Sequence, residues 1–235
     1  DIDKYDKIRN QLNEQYKTEN DKGTISTKQS DNFVDIDVLH GMLKKMEQEI
    51  KDQKLKKKET LSPKEKTLIQ VFTIYSILLK IPLRNDLAGM SVISKTQYNK
   101  LTQKEKEDGN YLVNYKNKLE FILNEYKTSK KYNEKIISID KDLEKIIRMY
   151  LRKNEGSVLF TSSTGKPYTR NALSQLLLKT SQKYLGKNIS TTMIRKIVLS
   201  DLFADNKKKQ QEMAEITGHS VSTMNNVYVK EKAEE

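Results

Sequence analysis

Cysteine is absent from this 235-residue chain, which excludes a disulfide framework, a thiolate zinc site and a cysteine nucleophile. Histidine occurs only at His40 and His219, too far apart in sequence to point to a histidine-held zinc ion. No hydrophobic run reaches the roughly 20 residues of a membrane span. The longest, Leu68 to Ile81, is interrupted by Gln70, Thr73, Ser76 and Lys80 and reads as a buried helix. No secretory signal opens the chain, and its start at Asp1 rather than Met carries the expectation of an upstream segment, with any targeting information on it. Nor does any amphipathic segment present the Trp, Phe and Leu face of a membrane-surface helix.

What is present is positive charge. Lys and Arg number 44 against 32 Asp and Glu, for a net charge of +12. Such an excess points to nucleic acid, although a compositional bias toward Lys, Asn and Ile produces the same excess. With 35% hydrophobic residues and long periodic apolar stretches, the chain is long enough to fold around a proper core, which rules out global disorder.

The periodicity predicts a polar helix over residues 1–20, broken at Gly23. A second follows from about Asp35 to Lys51, with Val38, Leu39, Met42, Leu43, Met46 and Ile50 on one stripe. The Lys-rich run KDQKLKKKET reads as a linker, dividing the chain into residues 1–60 and 61–235. Ser62 with Glu65 makes a capping box and Pro63 sits at the first helical position, so the buried helix starts there. Three strand-like segments follow, Tyr111 to Tyr115, Glu120 to Tyr126 and Lys135 to Ile139, expected to form a small antiparallel sheet. Helical period then returns: one stripe runs through Leu143, Ile147 and Leu151, and another through Leu173 and Leu177, opened by Thr169 and closed by Gly186. A helix capped by Ser190 or Thr191 carries Ile194, Ile197, Val198 and Leu202, and a separate shorter one through Met213 and Ile216 stops at Gly218. The fold class is mainly α with a small antiparallel sheet.

Arginine is scarce: Arg9, Arg84, Arg148, Arg152, Arg170 and Arg195 are all there are, leaving 38 Lys. In a chain that otherwise uses Lys, an Arg in apolar surroundings suggests a need for the planar fork that fits phosphate oxygens. Arg84, in KIPLRNDL after the buried helix, and Arg195, in TTMIRKI, are the two cases. His219 lies 24 positions after Arg195, and Tyr228 nine positions after His219.

The order Arg84, Lys127, Arg195, His219, Tyr228 resembles the active-site series of the tyrosine recombinases, the integrase family that breaks and rejoins DNA through a tyrosine. PLRNDLAGM resembles the family's first-arginine motif, and YKTSKK its lysine turn, pointing to Lys127. TTMIRKIVLSDLF resembles the second-arginine box, and GHSVSTMNNVY the Gly-His box with its tyrosine. The match covers about residues 60 to 230, and its wording is similar to integrases of virophages and related mobile elements of large DNA viruses. Two departures stand out. Thr192 occupies the position, three residues before the second Arg, where the family usually has His or Lys. The 43 positions from Arg84 to Lys127 leave room for an insertion or DNA-facing loop, SKTQYNKLTQKEKEDGN.

The resemblance implies a catalytic domain of the tyrosine recombinase and type IB topoisomerase kind, preceded by the end of a helical DNA-binding segment. It implies double-stranded DNA as partner, a homotetramer on paired sites, no cofactor, no metal and no membrane, and a location wherever the DNA is: nucleus, viral factory or bacterial-type cytoplasm. Tyr228 would attack the scissile phosphate, Arg84 and Arg195 grip its oxygens, Lys127 protonate the leaving oxygen, and His219 hydrogen-bond the phosphate or assist the tyrosine. Thr192 could donate a hydrogen bond but is a poor proton carrier. The alternatives are a type IB topoisomerase and a catalytically inactive DNA-binding module of the same fold. Singly, each residue has a plainer reading: Arg84 as partner of Asp86, Arg195 as a helix-surface ion pair, Lys127 as a solvated hairpin tip, His219 as a helix cap, Tyr228 as a half-buried ring.

Overall fold

The structure, a computed structural model, describes residues 6–14, 30–126, 129–132, 134–154, 156–218 and 220–223. The chain forms two compact units, Asp1–Phe33 and Val34–Glu235. In the first, residues 6–14 are helical, with Arg9 paired to Asp6 at 3.0 Å.

The second unit opens with α1 (Ile36–Asp52), capped by the Asp35 carboxylate and burying Leu39, Met42, Met46 and Ile50. The Lys-rich run after it folds tightly: Lys54 takes a left-handed φ of 52° and Leu55 is fully buried. One apolar side chain among the lysines is enough to pin the segment, and α1 packs against α2 (Pro63–Lys80) within the same compact unit.

The α2 helix begins at the expected capping box, Ser62 N–H donating to Glu65 at 2.7 Å. Ile69, Ile74, Tyr75, Ile77 and Leu78 make it the centre of the core. Its polar interruptions are satisfied internally: Thr73 and Ser76 hydroxyls bond back to Ile69 and Phe72 carbonyls, and the buried Gln70 receives a hydrogen bond from Tyr150.

The sheet has four strands in the order β1 (Ser91–Ser94), β2 (Asn110–Asn114), β3 (Leu119–Leu123) and β4 (Lys135–Ser138). The three expected strands pair antiparallel; β1, which the sequence did not reveal, joins β2 in parallel, so the sheet is mixed. The segment between β1 and β2 is no open loop. It forms α3 (Lys95–Lys100) and α4 (Gln103–Glu107), each with its own capping box. Tyr98 of α3 packs with Tyr111, Val113 and Ile122 on one face of the sheet, while Leu112, Leu119 and Phe121 enter the main core from the other. After β3 the chain continues through α5 (Ser129–Tyr132), β4 and α6 (Lys141–Leu151) to α7 (Arg170–Leu185), which runs from its Thr169 cap to a left-handed Gly186.

Two expected helices are one. The α8 helix runs unbroken from Thr191 to Thr217, ending at a left-handed Gly218, and α9 (Val221–Thr223) follows. The first half of α8 packs on α1 and α2; beyond Val198, Leu199, Leu202, Phe203, Met213 and Ile216 are exposed, and Ala214 is buried. The run from Asp205 to Glu212 has good helix formers and no breaker, so local propensity lets the helix continue where the apolar pattern stops.

Candidate active site

The α2 helix stops at Lys80 because Ile81 is extended and Pro82 follows, and the chain then turns through one 3-10 turn, Asn85–Leu87. Leu87 and Met90 anchor this loop in the core, leaving Arg84 exposed and Asp86 buried. Asn85 ties the loop sideways. Its amide donates to the Arg170 carbonyl at 3.1 Å and to Ser174 at 2.8 Å, and its carbonyl oxygen accepts from the Thr191 hydroxyl at 2.6 Å. The first turns of α7 and α8 are thereby fastened to the residue next to Arg84.

Asn110 ties the loop to the sheet. It sits on the core face of β2, where its buried amide needs partners. It donates to the Asp86 carbonyl at 3.2 Å and the Glu125 carbonyl at 2.9 Å, and accepts from the N–H groups of Asn124 and Glu125 at 3.0 Å each. Arg170 closes the circle, pairing with the Glu125 carboxylate at 3.0 Å.

Arg195 lies one turn into α8, half-buried. Burial lowers its pKa, the nearby positive charge of Arg84 lowers it further, and Asp86 works the other way. The Asp86 carboxyl is raised, chiefly by burial, against the opposing pull of Arg170, a backbone hydrogen bond at Arg84, and the charges of Arg84 and Arg195. The charges of three guanidiniums therefore act on one buried carboxylate. Arg170 is neutralised in part by Glu125, but among the described residues neither Arg84 nor Arg195 has a carboxylate at ion-pair distance. Ser190 caps Met193 at 3.3 Å, while the N–H groups of Thr191 and Thr192 lie at the open, positive end of the helix, with the Thr192 side chain exposed beside them. Among the described residues, two guanidinium forks without a carboxylate partner thus lie near a helix N-terminus, an arrangement whose chemistry suits an anion such as phosphate. No three His, Cys, Asp or Glu side chains gather to hold a metal ion among the described residues.

Of the six residues singled out from sequence, Arg84 and Arg195 come together and Thr192 lies at the same helix end. Lys127, His219 and Tyr228 lie outside the described residues. Glu125, two positions before Lys127, is bound into the site through Asn110 and Arg170. The unbroken α8 carries Thr217 roughly 33 Å along its axis from Arg195, so the helix end that precedes His219 is remote from the arginine pair. Sequence reasoning missed Asn85, Asn110 and the part played by Arg170. The scarcity of arginine marked Arg170 as unusual, but no local pattern distinguishes a bonding Asn from the many solvated ones.

No protein family profile and no curated protein matches the chain. Two solved structures are similar to it. The crystal structure of XerA recombinase aligns over 82% of this chain and 56% of that one, at 12% identity and a TM-score of 0.46. XerH site-specific recombinase, bound to its difH substrate in a pre-cleavage complex, aligns over 89% of this chain and 53% of its own, at 14% identity and a TM-score of 0.42. The chain spans about half the length of these two proteins. Both likenesses are distant, and neither bears on which residues of this chain do what.

Proposed function

We propose that the chain is the catalytic part of a tyrosine recombinase, which cleaves and rejoins double-stranded DNA through a phosphotyrosyl link. The observation that carries this reading is the meeting of Arg84 and Arg195, distant in sequence, at one helix N-terminus with no carboxylate among the described residues at ion-pair distance from either. A like-charged pair of that kind is costly unless an anion completes it.

In the proposed reaction the Tyr228 oxygen attacks the phosphorus in line, the P–O5′ bond breaks, and the DNA 3′ end stays on the tyrosine. A phenol of pKa about 10 is a weak nucleophile, so the charge growing on the non-bridging oxygens is offset by Arg84 and Arg195. Thr192 donates a hydrogen bond there, and His219 hydrogen-bonds the phosphate or assists the tyrosine, whose phenol proton passes to that imidazole or to water as the bond to phosphorus forms. Lys127 gives its proton to the departing 5′ oxygen, and a 5′-hydroxyl attacking the phosphotyrosine reverses each step. Residues 1–60 would supply part of a second grip on the duplex, and a homotetramer on paired sites would align two duplexes for exchange. The finer affiliation with integrases of virophages rests on motif wording alone.

The chemistry requires the residues after Gly218 to reach Arg195, and α8 must therefore part between Ala204 and Glu212 when DNA is bound. The continuous α8 also favours a second reading, a DNA-binding module that holds phosphate without cutting it. A DNA duplex nicked near its cleavage point separates them: the recombinase leaves a covalent protein–DNA adduct on a denaturing gel, lost in Tyr228→Phe. Absence of an adduct with tight DNA binding retained selects the module; relaxation of a supercoiled plasmid without a cognate site selects a topoisomerase.

A further inference from the structure

We propose that Asn85, with Thr191, is a positioning clasp that holds the Arg84 and Arg195 guanidiniums together before phosphate arrives. The inference rests on the reading of those two arginines as the phosphate-holding pair. Asn85 is the immediate neighbour of Arg84, and Thr191 precedes Arg195 by one helical turn on the same face of α8. The 2.6 Å hydrogen bond from the Thr191 hydroxyl to Asn85 thus joins the two backbones that carry the guanidiniums.

The other half of the Asn85 amide is bonded to the Arg170 carbonyl and Ser174, so the clasp is braced against the start of α7. The physical need is plain. Arg84 depresses the protonation of Arg195, which is to say that the two charges repel, and Asp86 opposes that repulsion only in part. A fixed side chain that resists the separation leaves less reorganisation for the moment of reaction. Among side chains of this length only an amide both accepts from a threonine hydroxyl and donates twice. An aspartate there would lose the two donations and set a second carboxylate beside Asp86.

The test compares Asn85→Ala, Thr191→Val and Thr191→Ser with the parent chain, using the nicked duplex and, separately, inorganic phosphate titrated against thermal unfolding. We expect Asn85→Ala and Thr191→Val to cleave on the order of 10- to 100-fold more slowly at saturating DNA. DNA affinity should fall by no more than about tenfold, because the other phosphate contacts are untouched, so the rate at saturating DNA carries the test. Thr191→Ser, which keeps the hydroxyl, should cleave close to the parent rate. A serine variant as slow as the valine one would show that packing rather than the hydrogen bond matters, and parent-like rates in both damaged variants would remove the clasp. If the parent chain gives no adduct, it is the recombinase reading that fails, and the clasp is judged on phosphate alone. Affinity about tenfold weaker in Asn85→Ala and Thr191→Val but retained in Thr191→Ser supports it. Equal affinity in all four proteins, or none in the parent, overturns it.

Discussion

Arg84, Arg170 and Arg195 share one buried carboxylate, and the chemistry of the site follows from how unevenly that charge is divided. Glu125 occupies Arg170 at 3.0 Å, whereas no carboxylate among the described residues pairs with Arg84 or Arg195, whose forks the proposed function assigns to phosphate. Replacing either by Lys keeps the charge and loses the paired donors; cleavage of the nicked duplex should fall by about 10²- to 10³-fold, the usual loss for one donor to a developing oxyanion. A lysine variant as fast as the parent would show that the fork has no part in the reaction. Asp86 has a separate signature. Burial raises its carboxyl above the ordinary 3.8, so the folded chain binds this proton more tightly than the unfolded chain does. Its contribution is therefore fully present below the ordinary value and lost as pH rises through the raised one. In urea unfolding from about pH 3.5 to 7, the parent should lose stability relative to Asp86→Asn with rising pH; a difference that runs the other way would contradict the raised value.

At the scale of the element, α8 is where sequence and structure part. Its exposed large apolar residues fall in two groups, Leu199, Leu202 and Phe203 before the polar run, Met213 and Ile216 after it. Bending within the run would lay the two groups against each other and shorten the path from Arg195 to Gly218. Because the chain has no cysteine, Leu202→Cys with Met213→Cys reports on this directly. In the straight helix the two positions are roughly 16 Å apart, beyond the about 7 Å limit for a disulfide. With DNA bound, an intramolecular disulfide should form under mild oxidation, read as a mobility shift of the monomer on a non-reducing gel. Only free thiols, or only a cross-linked dimer, would mean that α8 stays straight. The other elements were more legible. The capping box at Ser62, the cap at Thr169 and the stop at Gly186 each depend on a few adjacent residues, and each stands where the sequence put it. β1 was hidden because a four-residue edge strand paired in parallel leaves almost no local pattern.

For the whole molecule, the proposed function together with the +12 charge would make DNA affinity a matter of counterion release. Binding to random duplex should weaken steeply with salt, and Arg84→Ala and Arg195→Ala should each reduce the slope of log K against log salt by about 0.9, one phosphate contact apiece. An unchanged slope in both would place the arginines away from the DNA backbone. The sequence by itself determined what depends on neighbouring residues: a mainly helical chain around one buried helix, three antiparallel strands, the helix caps, the exclusion of cysteine chemistry, and the two arginines worth watching. Tertiary structure alone decided that α1 and the lysine run belong to the compact unit of α2, that Asn85 and Asn110 are junctions rather than surface, and that the segments carrying Arg84 and Arg195 are joined through the Asn85–Thr191 hydrogen bond. Caps and stripes are written within a turn or two of chain, whereas the partners of a buried amide or a lone guanidinium come from segments whose meeting only the packed core can arrange.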